Sequence, residues 1–377
     1  MIQLKRSNWV TMACFLPITL FASGDLQDAL STRYLPYLPD LIESQLDSID
    51  PGEPVACYWR DAETIRAERV EGDLPLAGLR IVLDPGHIGG EWAEIEGRNF
   101  RIDPNDYWVR EGELVLEVAQ SVRSQLEALG AEVLLTREAV EPVNIKRAED
   151  YLEAALEDVV APILADMYSL EAYALRVYAR AEYLAAVSGD LAARARWINE
   201  VAQPDAVISL HINASKWPDG ELKLVEANNL HVLIFGCMTA SEMESASQIR
   251  QFRRKLSNRS AGMEQVLGLA LAESLSAATD LPAYTYSGLN AVEISGSEGY
   301  LWARNLMLLR SVECPSVLLE PYIANSEVGY RRLQSALKTR ALGEGPEVED
   351  ILVEYADAVV AGVLKAYGTN TALPLDE

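Results

Sequence analysis

Two of the chain's three histidines, His87 and His211, each follow a short run of strand-forming residues, and a third such run, Ser316-Val-Leu-Leu, delivers Glu320 in the same way. In open α/β sheets, ligands bind in the crevice at the carboxyl ends of the strands. Loops leaving these three ends would therefore bring two imidazoles and a carboxylate to one rim. Two neutral imidazoles and one carboxylate, with a fourth position open, are the ligand set of a catalytic zinc ion. Such an ion polarises a carbonyl and lowers the pKa of water toward neutrality. A further carboxylate can take the water's proton and hand it to a leaving amine. The sequence offers the ligating carboxylate at Glu111 or Glu113, where the helix after the His87 loop begins, and the base at Glu320. Each residue alone has a plainer reading: a turn histidine, a strand cap, a surface charge, or a glutamate that gains up to about 1 kcal/mol at the positive end of its helix. Their joint occurrence at equivalent strand ends favours chemistry. His231, at the start of His-Val-Leu-Ile-Phe, reads as a packed or wall residue.

The elements that must carry these groups follow from periodicity. Residues 79–83 (LRIVL) form a buried strand running into Asp84-Pro85-Gly86-His87. Residues 114–129 carry the helical stripe Leu114, Val118, Val122, Leu126 and Leu129, stopped by Gly130, and 131–136 form a second strand. A helix closed by Gly and followed at once by a strand implies a βαβ unit. Further strands are expected at 206–210, 230–235 and 316–319, with a polar helical stretch over about 241–278 and a closing helix over 348–367. Between them, residues 138–190 are rich in Ala and Tyr, with Met167, Leu170, Ala174, Val177, Ala181 and Leu184 on one helix face; another helix follows around 191–200. The reading is α/β: a single domain with a mostly parallel central sheet flanked by helices, plus a helical insertion.

With 57 acidic and 32 basic side chains among 377 residues, the net charge is −25. That argues against nucleic acid as a partner, since phosphate contacts need Lys and Arg, and against a polybasic membrane role. Lys5 and Arg6 precede an uncharged stretch over 7–24, which is the pattern of a secretory signal peptide. Pro17 and the shortness of the apolar part disfavour a spanning anchor. The expectation is an exported protein, periplasmic or extracellular, with no membrane attachment after cleavage. Cys57, Cys237 and Cys314 would remain, an odd number in no zinc-thiolate spacing. The expected organisation is a signal at 1–24, a leader or cover at 25–76 with a helix near 41–49, a catalytic domain at 77–368 with the insertion at about 138–190, and a tail at 369–377.

Four motifs in order carry a family likeness. Leu-Arg-Ile-Val-Leu-Asp-Pro-Gly-His-Ile-Gly-Gly (79–90) resembles the opening motif of the zinc-dependent N-acetylmuramoyl-L-alanine amidases of the family-3 type, which cleave peptidoglycan. Glu111, Leu116 and Ala119, then Gly130 and Thr136-Arg137, resemble the second motif. Arg194, Asn199 and Ser209-Leu-His211-Ile-Asn213-Ala214 resemble the third, and Val317-Leu-Leu-Glu320 with Asn325 the fourth. The likeness runs from about 79 to 367. It implies His87, Glu111 and His211 as Zn2+ ligands, Glu111 rather than Glu113 because Leu116 and Ala119 fix the alignment, and Glu320 as the catalytic carboxylate. It also implies hydrolysis of the amide between N-acetylmuramic acid and L-alanine, in cell-wall remodelling or cell separation.

This sequence departs from the family pattern in several places. Ile88 stands where Gly usually follows the first His, Gly112 replaces a basic residue, and Pro321 follows Glu320. The segment 89–110, with Trp92, Arg98 and Trp108, is longer than usual and could reshape the substrate groove. The insertion either packs on the domain or, as in some relatives of the family, covers the site or receives a protein activator. Two rival functions remain: a non-catalytic peptidoglycan-binding envelope protein on the same fold, and a zinc peptidase or amidase acting on another envelope substrate.

Overall fold

The computed structural model describes residues 57–159, 170–239, 242, 245–288, 290–345 and 349–368. The expected signal, the helix near 41–49, Met167, Val348 and the tail fall outside these residues. The chain order is α1 (Ala62–Glu68), β1 (Arg80–Pro85), α2 (Trp92–Glu96), β2 (Asn99–Phe100), β3 (Val109–Arg110), α3 (Glu111–Ala128), β4 (Glu132–Leu135), α4 (Leu152–Asp158), α5 (Leu170–Tyr183), α6 (Asp190–Trp197), β5 (Ala206–Leu210), β6 (His231–Phe235), α7 (Ala246–Asn258), α8 (Ser260–Thr279), β7 (Ala291–Glu293), β8 (Leu301–Arg304), α9 (Met307–Ser311), β9 (Ser316–Glu320), α10 (Glu327–Ala341) and α11 (Ile351–Tyr367).

Seven strands form one sheet in the order β4-β1-β5-β9-β6-β8-β7. The first four are mutually parallel, β6 is antiparallel to β9 but parallel to β8, and β7 is antiparallel to β8. Alternate side chains leave opposite faces of a strand, so both faces are buried. Ile81, Leu83, Ile208, Leu210, Val317 and Leu319 enter the large core with Val115, Val122, Leu271, Tyr355 and Val359 of α3, α8 and α11. Val82 and Val207 pack on the other side against Ala195, Ile198, Leu308 and Val312. The result is a three-layer α/β/α domain. The parallel part puts the ends of β1, β5 and β9 side by side, and the reversal at β6 starts that strand at the same rim, with His231 in register with Glu320.

The inserted region differs in detail from its expectation. A 3-10 turn at Ala148–Tyr151 leads into α4, and α5 runs through a wide π-type turn at Leu184–Gly189 directly into α6. The helix expected around 191–200 is thus the continuation of the insertion's own helix. Val177 and Ala181 are buried, in a small cluster with Ala148 and Ala155, but Leu170 is 83% exposed and Ala174 is exposed. The stripe holds only where α4 and the 3-10 turn lie against it. The stretch expected at 241–278 is two helices, broken at Arg259, whose φ is +53°. Residues 57–76, assigned from sequence to the leader, are stitched to the domain: Arg60 pairs with Asp205 at 2.8 Å, while Arg66 and Arg69 donate to the carbonyls of Ala366 and Tyr367.

Candidate metal centre

β1 and β5 are laced together past their last residues, because the Gly86 amide donates to the Leu210 carbonyl at 2.9 Å. This sets the His87 turn against His211. A Cβ on residue 86 would lie 2.3 Å from Cε1 of the His211 ring, so only glycine lets the two loops approach this closely. His87 itself sits at φ +55°, in the left-handed region that favours glycine.

The turn is held from beneath by charge. Asp84 is buried and accepts from Thr136 and Ser209, each at 2.6 Å, and from Arg194 at 3.0 Å. Burial alone would raise its carboxyl; Arg194 and the two hydroxyls outweigh that and hold it below the usual range. Arg194 also donates to the carbonyls of Pro85 and His87, both at 2.6 Å, and pairs with Asp190. Arg137 donates to the carbonyls of Pro85, Gly86 and Gly112. These partners explain why Asp84, Thr136, Arg137, Arg194 and Ser209 accompany the histidines in sequence. They brace the site rather than line it. Asn325 likewise ties two rim loops by exchanging hydrogen bonds with the Ser215 backbone, and Asn199 joins the end of the insertion to Ser311 and Glu313.

Glu111 is the first residue of α3, and its Oε1 lies 3.4 Å from His87 Nε2 and 3.2 Å from His211 Nδ1, while the Ile212 amide donates to it at 3.1 Å. The ligand atoms of His87, Glu111 and His211 all lie within 4.8 Å of one another. A tetrahedral zinc site with Zn–N and Zn–O near 2.0–2.1 Å has ligand atoms about 3.3 Å apart, so the two Glu111–His separations and the donor types fit that ion. Burial would raise Glu111, but His87, His211 and Arg98 pull its carboxyl down to about 2, keeping it an anion. Burial opposes a charge on His211, yet Glu111, Glu320 and Asp84 raise its pKa. Glu113 takes no part: its Oε1 accepts from the Gly90 amide and from Arg110.

Glu320 ends β9, and its Oε2 is buried without a hydrogen-bond partner. Burial pushes its carboxyl up to about 7; His211 pulls it down, Glu111 pushes it further up, and Arg98 and Arg304 pull it down. A carboxyl raised by burial, with one oxygen free of hydrogen bonds, suits a proton shuttle. His231 is packed, one of the two readings its sequence context allows. It is buried against Tyr284 and Tyr286, with ring centroids at 4.8 and 5.4 Å, and burial together with Arg304 lowers its pKa to about 3.

The segment 89–110 contributes more than its sequence signals. It forms α2 and the β2–β3 hairpin, sets the Glu96 carboxylate 3.3 Å from His87 Nδ1, and brings Arg98 to 3.7 Å from Glu111 Oε2. Phe100 packs edge-on against Trp217, and these rings border a cavity that reaches Glu111 and Arg98. Nothing in the spacing of Glu96 singles it out beforehand. The unusual Ile88 and Gly112 belong together: Ile88 is fully buried, and a Cβ at 112 would lie 2.4 Å from the Ile88 carbonyl oxygen. Among the described residues Cys57, Cys237 and Cys314 form no disulfide, and all three lie outside the site.

Comparison with known proteins finds similar solved structures and one family model. Ami1 of Mycobacterium smegmatis, an N-acetylmuramyl-L-alanine amidase, is 19% identical, covering 77% of this chain and 96% of its own, with a TM-score of 0.42. The CwlD amidase of Clostridioides difficile, solved in complex with the GerS lipoprotein, is 15% identical over 76% of this chain and 96% of its own, with a TM-score of 0.40. AmiC2 of Nostoc punctiforme, an N-acetylmuramoyl-L-alanine amidase, is 16% identical over 77% and 97%, with a TM-score of 0.37. No curated protein sequence matches the chain. The family model described as N-acetylmuramoyl-L-alanine amidase matches residues 81–345, from β1 to just beyond α10, and the chain belongs to that family.

Proposed function

We propose that this protein is a zinc-dependent hydrolase of the amide between N-acetylmuramic acid and L-alanine, acting on peptidoglycan in wall remodelling or cell separation. The observation that carries the reading is the convergence of His87, Glu111 and His211 at the rim where Glu320 ends its strand with a free carboxylate oxygen. His87, Glu111 and His211 would hold the metal. A zinc ion there supplies Lewis acidity toward a carbonyl oxygen and toward water. Glu320, as carboxylate, accepts the proton of the attacking water and then donates it to the leaving L-alanine nitrogen, so the residue returns to its starting state as the amide C–N bond breaks. Arg137 and Arg194 hold the turn that bears His87, and the Phe100 and Trp217 rings offer the substrate an apolar wall beside Glu111.

The charged start and uncharged run over 7–24 support export to the periplasm or cell exterior. No helix among the described residues is long and apolar enough to cross a membrane. Exposed Leu170, Leu175 and Tyr178 on α5 support reading the insertion as a surface open to a protein activator. The deciding assay is release of labelled fragments from purified peptidoglycan by the protein from residue 25 onward, with and without a chelator. Chelator-sensitive release of stem peptides with L-alanine at the amino end is expected, abolished in Glu320→Gln with zinc retained. Binding without release from the zinc-loaded protein would replace the amidase reading by the binding-module one.

A further inference from the structure

We propose that Glu96 is a positioning residue for His87, so that α2, within the lengthened segment 89–110, serves as a support of the metal centre. The inference rests on the zinc reading above. One carboxylate oxygen, Oε1, lies 3.3 Å from His87 Nδ1, and the other, Oε2, accepts the Ile88 amide at 2.8 Å. The Glu96 side chain is only 8% exposed, so both contacts are largely shielded from water. With Nδ1 directed to Glu96, the opposite nitrogen, Nε2, faces Glu111 Oε1 at 3.4 Å. A carboxylate on the far nitrogen fixes ring orientation and tautomer and makes the ligand more basic, and losing such a partner typically costs about 10–100-fold in metal affinity.

The need for this support is local. His87 occupies a strained left-handed conformation with Ile88, rather than a glycine, next to it, so the turn is held from both sides: Arg194 on the His87 carbonyl at 2.6 Å and Glu96 on the following amide. Glu96 is brought there by a defined stop. α2 ends at Gly97 in the left-handed conformation, the Arg98 amide returns to the Ala93 carbonyl at 2.8 Å, and the Arg98 carbonyl accepts the Glu111 amide at 3.2 Å. The end of α2 and the start of α3 are thereby linked directly. Glu113 provides a natural control: its carboxylate holds the Gly90 amide of the same loop at 3.0 Å, within a side chain that meets no imidazole.

The test is the zinc affinity of the full domain by chelator competition, with the melting temperature of each metal-free protein as a check on folding. For zinc-loaded protein, the His87 Nδ1 proton is followed by long-range 15N–1H NMR. Glu96→Ala is expected to weaken zinc about 10–100-fold and to lose a slowly exchanging, downfield Nδ1 proton. Glu113→Ala is expected to keep both within about twofold of wild type. If Glu96→Ala does not fold, Glu96→Gln is read instead; its amide cannot accept from both groups, and weaker zinc binding is again expected. Unchanged affinity in either folded variant overturns the inference. So does weakened affinity with the Nδ1 proton still protected, or equal weakening in Glu113→Ala, since both place the effect in the loop rather than the ring. A wild-type protein that binds no zinc overturns the proposed function and this inference with it.

Discussion

Gly86→Ala is the smallest change that should disable the proposed metal centre without altering one of its proposed ligands. The added Cβ would lie 2.3, 2.4 and 2.7 Å from Cε1, Nε2 and Nδ1 of His211, where carbon atoms normally rest about 3.5 Å apart. Roughly 1 Å of movement is therefore required. The turn has little freedom to supply it: the Gly86 amide is bound to Leu210, its carbonyl to Arg137, and the neighbouring Pro85 carbonyl to both Arg137 and Arg194. The imidazole must yield instead, and a site tolerates misplacement of only about 0.5 Å. Overpacking of this kind costs about 1–3 kcal/mol, a fall of several degrees in melting temperature. Zinc affinity should drop at least about tenfold as a ligand is displaced. Calorimetric melting of the metal-free protein and zinc titration of the folded variant are the assays. A variant that melts within about 1 °C of wild type and binds zinc equally well would refute the claim that the two loops are locked.

Two further outcomes are expected. Metal-free Glu320→Gln should be more stable than wild type, by an amount near zero below pH 4.5 that grows as pH rises and levels off above about 7, because the folded state keeps a proton which the unfolded chain has released. The plateau should be on the order of 3 kcal/mol; urea unfolding at pH 4 and pH 8 reads it, and a difference that shrinks with pH contradicts the burial of that carboxyl. Lys255, buried on α7, donates to Glu264 at 2.6 Å, to the Cys314 carbonyl and to Ser316, so Lys255→Met should cost about 3–5 kcal/mol by stranding the Glu264 charge. Lys255→Met combined with Glu264→Leu should recover most of that loss in the same unfolding measurement, whereas equal losses in the single and double variants would deny the pairing.

The strands that deliver His87, His211 and Glu320 were legible because each is a short apolar run with a polar residue at its end. β5 lies at 206–210 as read from sequence, and α3 begins three residues before its visible stripe because its first turn is carried by Glu111 and Glu113 rather than by apolar residues. Choosing between those glutamates was beyond periodicity. Both occupy the favourable end of the helix; the family resemblance favoured Glu111, and the structure turns Glu111 toward the imidazoles and Glu113 toward Gly90. β7 and β8 span three and four residues, too few for an alternation to stand out. The break at Arg259 was hidden because a non-glycine residue adopts the left-handed turn there. Leu170 and Ala174 shared a helical face with Val177, but an apolar stripe marks a core only over the length its partner covers. Glu96 was invisible, and Arg98 stood out only as part of a lengthened segment, because both reach the site through a hairpin whose pairing no local pattern announces.

The two arginines that hold the His87 turn, Arg137 and Arg194, stand on either side of the inserted helices. The segment between them is therefore spliced between two fastenings of the proposed metal centre, and its removal is a question of where to cut. Val140 accepts the Gly89 amide, Ala139 accepts from Arg137, and Asp190 holds both Arg194 and the Asn144 amide. A deletion spanning 138–190 would unfasten all of these and could be mistaken for loss of an essential lid. A graft that keeps the chain through Asn144 and rejoins before Asp190 would leave the fastenings in place. Within those cut points the helices become an exchangeable cassette, open to replacement by a linker, a relative's segment or a designed sensor domain.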